Sequence, residues 1–222
     1  MSALSSDFSR LPPADQILFE RIAVAIETSG YVVLPNALPE PIARDLANYL
    51  SELDPDAFHE AQIGRGGDQI RNQFVRRDKI HWIEDNHADA RDWANWTARL
   101  RTFLNRRLFL GLFSFESHFA IYHPGDFYRT HLDAFRGESN RVLSLVTYLN
   151  RGWLPDQGGE LVIYDTSNEA KIIRVIPAFG TLVLFLSEEF PHEVLAAQRD
   201  RYSVSGWFRL NGSIQNQIDP PS

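Results

Sequence analysis

His131, Asp133 and His192 are residue types that can share one divalent metal ion, offering two imidazole nitrogens and one carboxylate oxygen. Such a set can hold Fe(II) on one face and leave the opposite face open, an arrangement suited to activating O2 at a non-haem iron. Arg201 follows nine residues after His192. Its planar guanidinium could hold a dicarboxylic co-substrate beside that iron, since it matches a carboxylate better than an ammonium does.

Spacing alone does not make His131-Leu132-Asp133 a site. The chain carries 7 histidines and a second pair of the same pattern, His87-Ala88-Asp89. That pair opens a helical stretch, where residues two apart point in different directions and acids suit the helix N-terminus. His131 and Asp133 lie instead in an extended, β-rich neighbourhood, where residues i and i+2 project to one side. His192 follows Pro191 at the start of a distant extended segment and can approach from another direction. On the last strand, Arg201, Ser203, Ser205 and Trp207 share one face, and Tyr202, Val204 and Phe208 share the other. An arginine on an inward face is costly to desolvate without an anion. Two partners would satisfy it: a bound carboxylate, or an acid of the chain at the rim such as Asp133 or Glu188.

The elements that must position these residues change character along the chain. Ile17, Leu18, Ile22 and Ile26 are spaced as one face of a helix that Gly30 stops. Tyr31 to Leu34 is a short strand, and Ile42, Leu46 and Leu50 mark a second helix over Pro39 to Leu53. Asp54 to Asp68 is rich in Gly and Pro and is expected to be a loop. Ile70 to Ile83 reads as extended, and Asp89 to Phe109 as a long helix with Trp93, Trp96, Leu100 and Leu104 on one side. Six strands are then expected: Phe113 to Tyr122, Val142 to Leu149, Glu160 to Tyr164, Lys171 to Ile176, Thr181 to Leu186, and Tyr202 to Leu210. Helices first and strands later define an α+β fold in which N-terminal helices brace a sandwich or barrel.

Bulk composition narrows the function classes. The 222 residues are 44% apolar and 23% charged, an ordinary globular balance. They are read as one catalytic domain over 1–222: helical support with a substrate loop near 54–83, a β core over 111–210, and a frayed tail over 211–222. No apolar run approaches the roughly 20 residues of a membrane span, and Met1 to Asp15 shows no signal pattern. The absence of cysteine removes disulfides, thiolate metal sites and cysteine nucleophiles. A cytoplasmic location is the expectation. The net charge of −7 and the lack of a basic run argue against nucleic-acid binding.

Taken together, the motifs resemble the Fe(II)/2-oxoglutarate-dependent dioxygenase superfamily. They are Tyr122-His123-Pro124-Gly125, Tyr128 to Asp133, Arg141, Tyr148-Leu149-Asn150, Gly158-Gly159-Glu160-Leu161, Pro191-His192-Glu193-Val194, and Arg201-Tyr202 to Trp207-Phe208. Within that superfamily the chain is similar to prolyl 4-hydroxylases of the hypoxia-inducible-factor type, with Arg76 to Ile83 similar to a substrate-side segment of that branch. The resemblance implies a double-stranded β-helix (jelly-roll) core. It implies that His131, Asp133 and His192 bind iron, and that Arg201 and Tyr148 hold the distal carboxylate of 2-oxoglutarate. Tyr122 would lie near the co-substrate, Trp207 would line the pocket, and Arg76, Asp78, Trp82 and Arg141 would face the substrate. Cofactors implied are Fe(II), 2-oxoglutarate and O2, with ascorbate a further candidate.

The partner implied is a protein with an exposed prolyl loop, candidates being a translation elongation factor or a transcription factor, and a role in oxygen sensing would follow. Two departures bear on the peptide recognised. Ala134 to Asn140 lacks the Asn-Pro start of animal members, and Arg77 stands where glycine is expected. Two other readings use the same residues: identical chemistry on a small molecule or free amino acid, and a non-catalytic metal-binding jelly roll.

Overall fold

A computed structural model describes residues 11–60, 74–84, 86–134, 140–165 and 171–212. The first helix, α1 (Pro13–Ser29), begins with proline, whose missing N–H costs nothing in the first turn. It ends at Gly30, which adopts φ +73° and donates its N–H to the Ile26 carbonyl at 3.0 Å. A side chain at Gly30 would meet the Phe190 ring at 2.8 Å, so glycine is required twice over. The buried stripe is Leu18, Phe19, Ile22, Ala23 and Ile26. Ile17, expected on that stripe, is 66% exposed. The true stripe is rotated toward Phe19, whose ring packs edge-on against Trp96 and Phe103.

Next come β1 (Tyr31–Leu34), α2 (Glu40–Glu52), the two-residue β2 (His59–Glu60) and β3 (Lys79–Trp82). A single 3-10 turn at Ala88–Ala90 leads into α3 (Arg91–Leu108). The decoy histidine, His87, caps that turn, with its Nδ1 accepting from the Asp89 N–H at 3.3 Å. The extended stretch expected over Ile70 to Ile83 is a strand only at Lys79–Trp82 among the described residues. The expected loop holds a 3-10 turn at Pro55–Ala57 and β2, while residues 61–73 and the tail from 213 lie outside the described residues.

Eight strands follow: β4 (Ser114–Tyr122), β5 (Tyr128–His131), β6 (Arg141–Tyr148), β7 (Leu161–Tyr164), β8 (Ile172–Val175), β9 (Leu182–Leu186), β10 (His192–Val194) and β11 (Arg201–Arg209). They form two antiparallel sheets, a large one in the order β1-β9-β6-β11-β4-β3-β2 and a small one in the order β5-β10-β7-β8. From β4 to β11 the chain crosses between the sheets at every step except β7 to β8, a hairpin of the small sheet, which makes the core a double-stranded β-helix. The six strands expected from the sequence are all present. The two missed, β5 and β10, have four and three residues. Both are polar, so they lack the apolar run that marks β7 and β8, which are as short as β5, and β5 is largely solvent-facing.

Two apolar layers result. Helix residues such as Phe19, Leu46, Trp96 and Leu100 pack on the outer face of the large sheet through Leu145, Leu184, Val204 and Phe208. Inside the jelly roll, Tyr122, Tyr148, Val183 and Phe185 of the large sheet meet Leu161, Ile163 and Val194 of the small one. Period-two alternation divides β11 between these layers: Val204 and Phe208 face the helices, while Arg201 and Ser203 are buried on the inner face.

Gly206 sits between β4 and β6 on the helix-facing side of β11. A Cβ there would lie 2.5 Å from the Phe115 ring and 2.9 Å from the Glu116 carbonyl oxygen. We expect Gly206→Ala to lower the free energy of unfolding by about 1–3 kcal/mol through overpacking. Urea denaturation would measure it, and an unchanged midpoint would contradict the packing described.

Candidate metal centre and its cavity

Strand register brings the candidate ligands together. His131 ends β5, His192 begins β10, and the two are direct cross-strand partners. Their rings lie 4.2 Å apart between centroids. Asp133 is two residues beyond β5, and the ligating atoms of all three residues lie within 4.8 Å of one another. His131 Nε2 is 3.6 Å from Asp133 Oδ1, and His192 Nε2 is 3.7 Å from Asp133 Oδ2.

Each imidazole is oriented from behind. His131 Nδ1 lies 2.8 Å from the Arg129 carbonyl and His192 Nδ1 lies 3.0 Å from the Phe190 carbonyl. A carbonyl only accepts, so each Nδ1 carries the proton and each Nε2 lone pair faces the cluster. Burial and His131 together lower His192 to about 4, against the pull of Asp133. Burial alone would raise Asp133, but His192, His131 and the Ser144 hydroxyl overcome it and hold the carboxyl well below the usual range. At neutral pH His192 is a neutral imidazole and Asp133 an anion, the protonation states a divalent metal needs. The residues therefore fit Fe(II).

Arg201 opens β11, opposite Tyr122 of β4. It is 1% exposed. Its Nε donates to the Gly159 carbonyl at 2.8 Å and its Nη1 to Ser203 Oγ at 3.1 Å. Among the described residues no carboxylate pairs with it, so the rim acid left open by the sequence is not its partner. The guanidinium lies 4.9 Å from the Tyr122 ring and 5.0 Å from the Tyr148 ring. Among the described residues the buried Tyr148 hydroxyl has no acceptor for its proton, and the Arg201 guanidinium is its charged neighbour. Burial pushes it up to about 12, with Arg201 pulling the other way, so it remains a donor. An unpaired buried cation beside an unpaired buried donor fits a carboxylate such as the distal one of 2-oxoglutarate.

The triad and Arg201 open into one cleft of about 880 Å³. Tyr122, Trp207, Arg76, Asp78, Trp82 and Arg141, all singled out in the sequence, also line it. Tyr148 does not; it packs behind Arg201. Burial raises the Tyr122 hydroxyl well above its ordinary range. Arg76 holds Asp78 in a two-point fork, at 2.8 and 2.6 Å, and stacks over Tyr128 at 4.3 Å. Arg141 lies 3.6 Å over the Trp207 ring and is held by Glu116 at 2.8 Å. Trp82, 48% exposed, forms the mouth.

Three contributors went unrecognised in the sequence. Tyr128 stacks on His131 at 3.5 Å. Ser144 donates to Asp133 Oδ2 at 2.6 Å. His118 is buried against Trp82 and Trp207. Counting by two along a strand would have found the last two, since Ser144 shares its face with Tyr148, and His118 shares its face with Tyr122. Burial lowers His118 to about 4, Asp78 opposing and Arg76 and Arg141 assisting.

Comparison with known proteins agrees with this geometry. The family model of the 2OG-Fe(II) oxygenase superfamily matches residues 117–209. A Pseudomonas putida prolyl-4-hydroxylase is similar in structure, with a TM-score of 0.79 and 37% sequence identity, covering 87% of this chain and 100% of that one. A Trichoplax adhaerens prolyl hydroxylase, solved in complex with a hypoxia inducible factor oxygen degradation domain peptide fragment, has a TM-score of 0.75 at 24% identity. The match covers 93% of this chain and 94% of that one, a likeness of fold. Human Egl nine homolog 1 is 23% identical over 205 residues, 88% of this chain. The chain spans 47% of the length of that relative. A jelly roll whose two sheets converge on two imidazoles, a carboxylate and an unpaired arginine is the frame of a non-haem iron oxygenase. This chain belongs to the 2OG-Fe(II) oxygenase superfamily.

His118 supplies a pH test separate from the metal ligands. Its imidazole binds a proton near pH 6.5 when unfolded and near 4 when folded, so the unfolded chain holds the extra proton between those values. Stability therefore falls as pH drops through that window. We expect the protein to lose about 2 kcal/mol more than a His118→Met variant between pH 7.5 and 5. Equal pH profiles in urea unfolding would refute the burial of a neutral His118.

Proposed function

We propose that this chain hydroxylates a prolyl residue of a protein, giving 4-hydroxyproline, succinate and CO2. The observation that carries the reading is the buried Arg201, with no carboxylate partner among the described residues, opening on the same cleft as the His131–Asp133–His192 cluster. Prolyl specificity is supported by 37% identity over the whole length of the Pseudomonas putida prolyl-4-hydroxylase. The chain would act as one catalytic domain, in the cytoplasm.

Bound Fe(II) with 2-oxoglutarate and O2 would supply oxidative decarboxylation of the keto acid coupled to oxygen insertion into a C–H bond. The chain's own residues hold and orient. His131, Asp133 and His192 present their donors from one side and leave the cleft side free. Arg201 would pair with the distal carboxylate, and the Tyr148 hydroxyl behind it would donate to the same anion. Tyr122, kept protonated by burial, presents a second hydroxyl to the co-substrate. Trp207 gives the cleft a flat apolar wall, and exposed Trp82 offers its face to a prolyl ring. Arg141 and the Arg76–Asp78 pair place fixed polar groups at the mouth for the peptide backbone. A protein partner with an exposed prolyl loop is supported by the aromatic rim of the mouth, where the Trp82 and Trp207 rings lie 6.5 Å apart between centroids.

Removing the Arg201 charge leaves the metal cluster intact. Loss of one partner of a buried charge pair costs about 2–5 kcal/mol, so Arg201→Gln should raise KM for 2-oxoglutarate on the order of 100-fold or more. Steady-state succinate release would measure it, and an unchanged KM would place the co-substrate elsewhere.

The substrate is tested by incubating a proteome with protein, Fe(II) and 2-oxoglutarate and searching by mass spectrometry for one added oxygen on proline. Asp133→Ala should abolish both that product and succinate formation. Succinate without any modified proline would move the reading to a small-molecule substrate.

A further inference from the structure

Ser144 and Ser187 form a hydrogen-bonded relay whose direction is fixed by counting protons. Ser144 lies on β6, paired with Phe185 of β9 and Trp207 of β11, and both serines are buried. Ser144 Oγ is 2.6 Å from Asp133 Oδ2 and 2.9 Å from Ser187 Oγ. A metal-binding carboxylate is deprotonated and can only accept, so the single hydroxyl proton of Ser144 goes to Asp133. The bond to Ser187 must then be one that Ser144 accepts. The relay runs Ser187 to Ser144 to Asp133 and spends both protons.

The relay also joins the sheets at the metal centre. Ser187 is tied to the large sheet by its N–H, which donates to the Val142 carbonyl at 3.0 Å. Asp133 belongs to the turn after β5 of the small sheet. A 2.6 Å hydroxyl-to-carboxylate bond is in the charge-assisted range and holds the carboxyl torsion, which is otherwise broad. Both carboxylate oxygens border the cluster, Oδ1 at 3.6 Å from His131 Nε2 and Oδ2 at 3.7 Å from His192 Nε2, but only Oδ2 has a lone pair taken by the Ser144 proton, which leaves Oδ1 the better donor.

We propose that Ser144, backed by Ser187, is a positioning residue that keeps Asp133 a one-oxygen ligand through Oδ1, a proposal that rests on the metal-centre reading above. A carboxylate free to rotate could offer both oxygens and occupy a second position on the metal. Fixing it with a hydroxyl from the opposite sheet leaves that position exchangeable.

Co(II) tests this without turnover, because its visible absorption reports coordination number and its titration gives a dissociation constant. The metal-free protein and the variants Ser144→Ala, Ser144→Thr, Ser187→Ala and His131→Ala would be titrated, with melting curves alongside. Ser144→Ala is expected to weaken Co(II) binding about 10- to 100-fold, as loss of an outer-shell partner typically does, and to shift the absorption bands. Ser144→Thr keeps the hydroxyl and should stay near wild type, with Ser187→Ala in between. A merely structural role would lower melting temperatures without moving the spectrum of the folded Co(II) form. A wild-type spectrum and affinity in Ser144→Ala would overturn the proposal. Should that variant not fold, a wild-type spectrum in Ser187→Ala would do so. Wild-type protein that binds no Co(II), or binding that survives in His131→Ala, would instead overturn the metal-centre reading itself.

Discussion

A guanidinium buried in the wall of a jelly-roll cleft, with no carboxylate partner among the described residues, is the constraint around which the rest of this molecule is arranged. Desolvating an unpaired charge costs several kcal/mol even after relaxation. Arg201 recovers part of that from the Gly159 carbonyl, Ser203 Oγ and two tyrosine faces. None of these is anionic. The surroundings hold it there anyway: Gly159 adopts φ +75°, and a side chain on it would press Ala197 at 2.9 Å and the Arg201 stem at 3.3 Å. Apolar replacement of buried ionic groups is often neutral or stabilising, so a charge kept here is better explained by an anion it can meet than by the fold.

The two-layer construction makes that burden bearable. The helices, through Phe19, Leu46, Trp96 and Leu100, cover the outer face of the large sheet with apolar side chains. Each large side chain so buried contributes roughly 1.5–3 kcal/mol. The inner face is then free to carry polar groups. Arg201, Ser203, Ser144 and His118 all project from the large sheet inward, while their neighbours in sequence hold the helices. Short strands of the small sheet need contribute little to stability. They contribute register, which sets His131 opposite His192.

Legibility in the sequence follows the same division. The long helices and strands β4, β6 and β11 announced themselves because each buries one repeating stripe or face over many residues, and the shorter β7, β8 and β9 because their apolar runs are bounded by turn residues. The inward face of β11 was readable for that reason, down to the parity of Arg201 and Ser203. The strands carrying the candidate histidine ligands were not among the six, since Tyr128–His131 and His192–Val194 lack the apolar run that marked the equally short β7 and β8. Ile17 was misplaced because an apolar residue beside a helical stripe satisfies the same spacing as one on it. What no local pattern could reveal was pairing across the fold: the Ser144 hydroxyl on Asp133, the Tyr128 ring on His131, the Glu116 carboxylate on both Arg141 and Arg209. These depend on the separation of two sheets, which no single segment encodes.

The Arg76–Asp78 pair shows how such pairing alters the meaning of a motif. As a sequence, Arg76-Arg77-Asp78 suggests charges offered to a ligand. In the fold, Asp78 is almost wholly buried and takes both ends of the Arg76 fork, and Arg76 in turn lies over Tyr128, which stacks on His131. The backbone follows the same line, for Arg77 N–H donates to the Phe127 carbonyl and Arg129 N–H to the Val75 carbonyl. Burial lowers the charged form of Arg76, but Asp78 more than restores it and holds the guanidinium firmly protonated. The segment is therefore stiffened by its internal bidentate ion pair and fastened to β5 and the residue before it by a cation–π contact and two backbone hydrogen bonds. A residue pinned in this way offers a fixed edge rather than a free charge, and its displacement would be felt one ring away at His131, a candidate metal ligand.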